Sequence, residues 1–210
     1  MSKQQELHLV EQAQAGDESA LAALFEQHRQ RLRKMIDLRM TPRLRARCDA
    51  SDVLQEAFLE VARRIPEYEH RDDFPFFVWL RRITYGRLSD LYRKHIVARK
   101  RTANLEVALR SEPISEVSSG LLASHLAGRF TSVHRNLIRA EVEMQLHKVI
   151  EAMDEKDRDV IALRYFEGLT TEETAAALDL TRSGVLKRFT RALTKLSQAV
   201  KSDSDLNSKG

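Results

Sequence analysis

Seven of the 13 aromatic side chains fall between Tyr68 and Tyr92: Tyr68, Phe74, Phe76, Phe77, Trp79, Tyr85 and Tyr92. Arg71, Arg81, Arg82, Arg87, Arg93 and Lys94 are interleaved with them. Flat rings stack on unpaired bases and guanidinium groups follow a phosphate backbone, so this mixture suits single-stranded nucleic acid. The same stretch has a plainer use. Phe76, Leu80 and Ile83 recur at helical spacing, which marks them, and Trp79 beside them, for a hydrophobic core.

A second cluster lies near the end of the chain. From Leu180 to Ser202 there are six basic residues and no acids, whereas Glu151 to Asp179 holds nine acids against three bases. Thr170-Thr171-Glu172-Glu173 has the form of a capping box, with a Thr oxygen for free amides and a Glu three residues on that reaches back. It opens a short helix, Thr171 to Leu178, containing the small Ala175 and Ala176. Asp179-Leu180 makes a turn and Thr181 caps a second helix. This order is the helix-turn-helix of DNA readers. At 100° per residue, Val185, Leu186, Phe189, Ala192, Leu193 and Leu196 share an arc of roughly 120°. Lys187, Arg188, Arg191 and Lys195 share roughly 100° on the opposite side. The expectation is a core stripe backed by a phosphate-binding stripe, with Arg182, Ser183 and Lys187 at the N-terminal end placed for base edges.

Other chemistry is poorly supported. The seven histidines are scattered singly, without metal-ligand spacing, and no glycine-rich phosphate loop occurs. The only cysteine, Cys48, has no recognisable partner for catalysis and cannot form an internal disulfide. No metal, cofactor or enzymatic activity is expected. The polar N-terminus lacks a signal core and no apolar run approaches a membrane span, so a cytoplasmic protein is expected. The net charge is only +4, but eight bases against the single Asp90 between Arg81 and Arg101 make a second basic block. Two such blocks favour a polyanionic partner.

The elements that must position these residues are helical throughout. Asp17 caps a helix carrying Leu21, Leu24, Phe25, Leu32, Met35 and Ile36, with Pro42 beyond its end. Ser51 or Asp49 caps another, with Val53, Leu54, Ala57, Phe58, Val61 and Ile65 on one face. Asp52, Gln55, Glu56 and Glu60 occupy the other face. A polar loop, Pro66 to Asp73, precedes a long helix that starts near Pro75 and runs towards Arg93. From about Thr102 to Ser132, Pro113, Gly120, Gly128 and several serines interrupt weak apolar patterning, as in a linker with at most short helices. Helices resume near Arg139, with Leu146, Val149, Ile150 and Met153 on one and Val160, Ile161, Leu163, Tyr165 and Phe166 on the next, stopped by Gly168. The expectation is an all-α chain of two helical domains, residues 1–101 and 139–200, joined by a flexible linker over 102–138 and followed by a disordered tail over 201–210.

Asp52-Val53-Leu54-Gln55-Glu56-Ala57-Phe58, then Phe74-Pro75-Phe76-Phe77-Val78-Trp79-Leu80-Arg81-Arg82-Ile83 and Asp90, resembles region 2 of the sigma factors of bacterial RNA polymerase. Glu167-Gly168-Leu169-Thr170 and the terminal helix-turn-helix resemble region 4. The stretch Leu180 to Leu193 looks most like the extracytoplasmic-function (ECF) sigma-70-related proteins of planctomycetes. The resemblance runs from about Gly16 to Val200. It implies that Asp52, Gln55 and Glu56 form the surface for the β′ clamp helices of core polymerase, with a further contact to the β flap. It implies that Arg71, Phe74, Phe77, Trp79, Arg81, Arg82, Tyr85 and Arg87 open and hold the −10 element of promoter DNA. It implies that Arg182, Ser183, Lys187, Arg188 and Arg191 read the −35 element. The linker would thread near the active-site channel of the polymerase, and an anti-sigma factor is a further partner to expect. Two positions depart from the family's pattern. Gly86 stands where an Asn is usual, and Asp179 stands where the turn usually has Gly. Asp tolerates a left-handed conformation, so the turn is expected to form. An ordinary helix-turn-helix regulator would share Thr170 to Leu196. It would not require an acidic helix face followed by an aromatic, basic loop.

Overall fold

The computed structural model describes residues 2–94, 119–130 and 136–207. The chain divides into two compact units, Met1–Glu112 and Pro113–Gly210. Among the described residues every regular element is helical, apart from a single bridge between Arg71 and Phe74.

Among its described residues the first unit has five α-helices. α1 (Lys3–Gln14) begins with a capping box in which Ser2 accepts from the Gln5 amide and Gln5 reaches back to the Ser2 amide. α2 (Glu18–Arg39) is capped by Asp17, whose carboxylate accepts from Ser19 and Ala20. A short turn of helix, α3 (Pro42–Arg45), is followed by α4 (Ala50–Arg64) and α5 (Phe76–Tyr92). The apolar stripes of α2 and α4 meet α5 in a core containing Leu24, Leu32, Met35, Ile36, Val53, Ala57, Phe77 and Leu80. α1 was not expected from the sequence. It is only weakly amphipathic, and it is held through Val10 and Ala13 and through a 2.9 Å pair between Glu6 and buried His28 of α2.

The second unit corrects two expectations. α6 (Ser119–Phe130) lies inside the stretch read as linker, with Leu122, Ala123, Leu126 and Ala127 buried and α7 (Asn136–Glu151) packed against it. Small residues let the two helices approach closely. A Cβ added at Gly120 would lie 3.8 Å from the His147 ring. Gly120, which read as an interruption, therefore faces α7. Linker positions 102–118 and 131–135 lie outside the described residues. α8 (Glu155–Ile161) continues into a wider π-type turn, Ala162–Phe166, and Gly168 ends it with φ of +72°. α9 (Thr171–Leu178) and α10 (Arg182–Asn207) complete the unit. The helix continues to Asn207 where a tail was expected from Lys201, because no Pro or Gly interrupts it there.

Candidate nucleic-acid interfaces

In the first unit, Asp49 caps α4, accepting from Ser51 and Asp52, and the Asp52 carboxylate accepts from the Asp49 amide at 2.8 Å. These bonds from Asp52 and Ser51 hold the Asp49 carboxyl below its usual range. Asp52 is thus a cap partner as well as a surface charge. Asp52, Gln55 and Glu56 are all exposed, and Leu59, one turn further on, is 60% exposed. Acids, an amide and an uncovered Leu make one continuous ridge on α4.

The end of α4, the loop before α5 and the first three turns of α5 enclose a pocket of about 330 Å³ lined by Glu60, Arg64, Phe74, Trp79, Arg82, Ile83, Gly86 and Arg87. Arg71 closes the loop before α5 with two hydrogen bonds to Asp73, at 3.0 and 2.6 Å, and these pull the Asp73 carboxyl below its usual range. Phe74 pairs with Arg71 across this turn. Trp79 is half-buried, 5.0 Å from the Tyr68 ring and 5.6 Å from that of Phe76, so packing fixes one side of the indole while it still lines the pocket. Burial, followed by the nearby Glu6, pushes the Tyr68 phenol up to about 12. Arg87 pairs with Asp90 at 2.7 Å, yet its buried Nε has no hydrogen-bond partner. At Gly86 a Cβ would meet nothing within 4 Å.

Of the residues expected at single-stranded DNA, the pocket gathers Phe74, Trp79, Arg82 and Arg87, with Arg71 supporting the loop. Three others are placed elsewhere. Phe77 is buried, with the Arg31 guanidinium 3.5 Å above its ring and His28 at 5.2 Å. Arg81 is buried. Tyr85 lies half-buried with Arg39 over its ring at 5.8 Å. Burial takes Phe77 and Arg81 off the accessible surface, because the inward face of α5 repeats every three to four residues and includes both. Gly86, the position that departs from the family's Asn, lies in the pocket lining. Glu60 and Arg64 also belong to it but were not singled out for it, because the rest of the lining comes from α5 and the loop before it and no spacing within α4 marks them.

In the second unit the turn chemistry is as expected. Thr170 accepts from the Glu173 amide at 3.1 Å and Glu173 accepts from the Thr170 amide at 2.8 Å. Asp179 adopts φ 51°, ψ 54°, the left-handed conformation the turn requires. The Thr181 hydroxyl accepts from the Gly184 amide at 3.1 Å. Val185, Ala192 and Leu196 of α10 are buried, Val185 in a cluster with Val160 and Ala175.

The two stripes expected on α10 are displaced. Leu186 is 52% and Leu193 37% exposed, so the edge of the expected core stripe faces outward. Conversely, Arg188 and Arg191 are drawn onto α8. Arg188 donates to Asp154 at 2.9 Å and to Asp157 at 2.7 Å, and Arg191 donates to Asp157 through Nε at 2.9 Å and Nη2 at 2.6 Å. The Asp157 side chain is fully buried. Burial pushes its carboxyl up, but the hydrogen bonds and charges of Arg191 and Arg188 outweigh that and leave it below the usual carboxylate range. Arg182 pairs with Glu172 of α9. Arg164 lies over the Phe189 ring at 5.5 Å, a further tie between the turn after α8 and α10. Ser183, Leu186, Lys187 and Thr190 are exposed on the first turns of α10, within roughly 100° of one another. Asp157 had no signal in the sequence, since its partners lie 31 and 34 residues away.

No described helix is long and apolar enough to cross a membrane, and no group of metal-ligating side chains occurs among the described residues. The family model described as "ECF sigma factor" matches residues 4–202. The chain is 28% identical over 200 residues to the RNA polymerase sigma-H factor of Pseudomonas aeruginosa, covering 95% of this chain and 96% of the relative. It is 29% identical over 185 residues to the ECF RNA polymerase sigma-E factor of Escherichia coli K12, covering 88% of each. With the ECF RNA polymerase sigma factor SigD of Mycobacterium tuberculosis it shares 27% identity over 197 residues, covering 94% of this chain and 84% of the relative. Its fold is similar to that of a solved structure, CnrH in complex with the cytosolic domain of CnrY, with a TM-score of 0.54, 23% identity, and coverage of 95% and 99% of the two chains. An all-helical chain with an exposed acidic ridge, an aromatic–cationic pocket and a terminal helix-turn-helix, matched over nearly its whole length, belongs to the ECF sigma factors, which direct RNA polymerase to promoters.

Proposed function

We propose that the exposed ridge of α4, Asp52, Gln55 and Glu56 with Leu59, is the surface that takes the β′ clamp helices of core RNA polymerase. The carrying observation is that α4 supplies this uncovered ridge and, through Glu60 and Arg64, one wall of the aromatic–cationic pocket. Docking on α4 therefore positions the pocket against promoter DNA. In this reading Phe74, Trp79, Arg82 and Arg87 receive an unstacked base of the −10 element: rings supply a stacking face, and cations follow the backbone. Arg71 shapes the loop, while Phe77, Arg81 and Tyr85 support it from within. α10 reads the −35 element in the major groove, with Arg182, Ser183 and Lys187 nearest the bases. Arg188 and Arg191 orient that helix through Asp157.

The wider reading is a cytoplasmic, non-catalytic initiation factor without cofactor or metal. A β-flap contact and an anti-sigma partner belong to it, as do a polymerase-threaded linker within residues 102–118 and a −10 domain over residues 1–101. Membership of the planctomycete-like subgroup rests on the stretch Leu180 to Leu193 alone. Run-off transcription from genomic fragments with purified core polymerase, with and without this chain, tests the function. Start sites should appear only with the chain and share −10 and −35 elements. Charge reversal Glu56→Lys should weaken core binding with the fold retained; unchanged affinity would remove α4 from the polymerase interface. A regulator of the ordinary helix-turn-helix kind would instead bind its operator without polymerase.

A further inference from the structure

The surface that α10 turns outward contains an apolar side chain that its own unit leaves half exposed. The core side of the helix is already filled by Val185, Ala192 and Leu196, each buried. Leu186 is one residue round from Val185 and 52% exposed. An uncovered Leu at the start of a reader helix costs hydrophobic free energy in the free protein, and singly it would need no explanation. Its surroundings supply one. Ser183, Lys187 and Thr190 share its exposed face, Arg182 precedes it, and no acid occurs from Leu180 to Ser202. A surface of that charge meets a polyanion. The apolar group that a DNA major groove offers is the 5-methyl of thymine, which apolar side chains recognise by contact. Arg188 and Arg191, which would have flanked a more cationic reading face, are turned onto buried Asp157. The face left to the groove is thus a hydroxyl, a Leu, a Lys and a second hydroxyl.

We propose that Leu186 is a specificity-determining residue that reads a thymine methyl group in the −35 element. This rests on the assignment of α10 as the −35 reader. Neighbouring Ser183 and Lys187 supply the polar contacts, and Leu186 discriminates thymine from cytosine at one position by apolar contact.

The test uses full-length protein with core polymerase on a promoter identified by run-off transcription. Each thymine of the −35 element, on either strand, is replaced in turn by deoxyuridine, which keeps every hydrogen-bonding group and lacks only the methyl. For the unaltered protein, one replacement should weaken promoter binding about fourfold, the value for one buried methyl-sized group. For Leu186→Ala that position should lose its sensitivity, with thymine and deoxyuridine bound equally, and Leu186→Met should retain it. Circular dichroism and melting of Leu186→Ala should match the unaltered protein. Identical deoxyuridine profiles for the two proteins would overturn the proposal. An equal loss for Leu186→Ala on every template, scrambled −35 sequences included, would also overturn it and assign Leu186 to a protein contact. If scrambling the −35 element affected neither protein, the reader assignment for α10 itself would fall.

Discussion

In the first unit Arg71 meets Asp73 and Arg87 meets Asp90, with both carboxylates open to water; in the second, Arg188 and Arg191 converge on Asp157, which water does not reach. The side-chain types are the same and their uses differ. An exposed ion pair holds little free energy, so its arginine can be surrendered to a phosphate at small cost. A carboxylate taken out of water cannot lose its partners so cheaply, because the charge left behind is buried and unpaired. The arginines of the pocket region are therefore available to a ligand, and those on the inner flank of α10 belong to the fold. Counting cations in the sequence treats both alike.

The largest expected effect is at Asp157. Asp157→Ala removes the three charge-assisted hydrogen bonds that tie Arg188 and Arg191 of α10 to α8. It should cost the second unit about 3 kcal/mol, read as a shift in the urea midpoint. Asp73→Ala in the first unit should leave the midpoint where it was. Equal shifts would erase the distinction between the two regions. Acid sharpens it. The folded pKa of Asp157 is lowered, so its contribution is complete above the unfolded value near pH 4 and is lost as pH falls through the folded pKa. The urea-midpoint gap between the unaltered protein and Asp157→Asn should therefore narrow as pH drops from 5 to 2. A gap independent of pH would mean that Asp157 does not act as a charge.

Next in size is Trp79→Ala. Loss of one stacking ring should weaken binding of the polymerase holoenzyme to a single-stranded −10 oligonucleotide roughly tenfold. Its affinity for duplex −35 DNA should be unchanged. A drop in both would mean that the substitution disturbs more than the pocket.

Smaller, but more discriminating, is the salt dependence of promoter binding. Lys187→Ala should lower the slope of log affinity against log salt by about one, because an exposed cation on the DNA-facing side of α10 is lost. Arg191→Ala should leave that slope unchanged and lower the urea midpoint instead. If Arg191→Ala also reduced the slope, Arg191 would leave Asp157 for a phosphate when DNA binds.

The smallest effect is expected at Gly86. A Cβ there meets nothing within 4 Å, so Gly86→Asn should fold as before, with melting held or slightly raised because Asn is the better helix residue. Its consequence should be confined to promoter opening, measured by permanganate reactivity of the −10 thymines. A lowered melting temperature would show that the pocket has no room for the side chain.

Local chemistry made much of this protein legible in its sequence. The capping box at Thr170, the left-handed turn at Asp179, the stop at Gly168 and the helical stripes of α2, α4 and α5 depend on neighbours within a few residues. Side chains and backbone amides at those spacings meet whenever a helix forms. The order of an acidic helix, an aromatic–basic loop and a helix-turn-helix also carried the family resemblance. Three things depended on distant contacts. α6 became visible as a helix only against α7, because a stripe containing Leu122 and Leu126 with alanines and glycines is too weak to show alone. The pocket formed because α4 and the loop before α5 bring Arg64 and Phe74 to the same place. The outward face of α10 was set by Asp157. A hydrophobic arc drawn on one helix cannot show that a buried carboxylate, 31 and 34 residues away in the chain, draws two arginines inward and leaves Leu186 facing solvent. Burial energetics act between elements, so they decided which charges serve the fold and which remain for DNA.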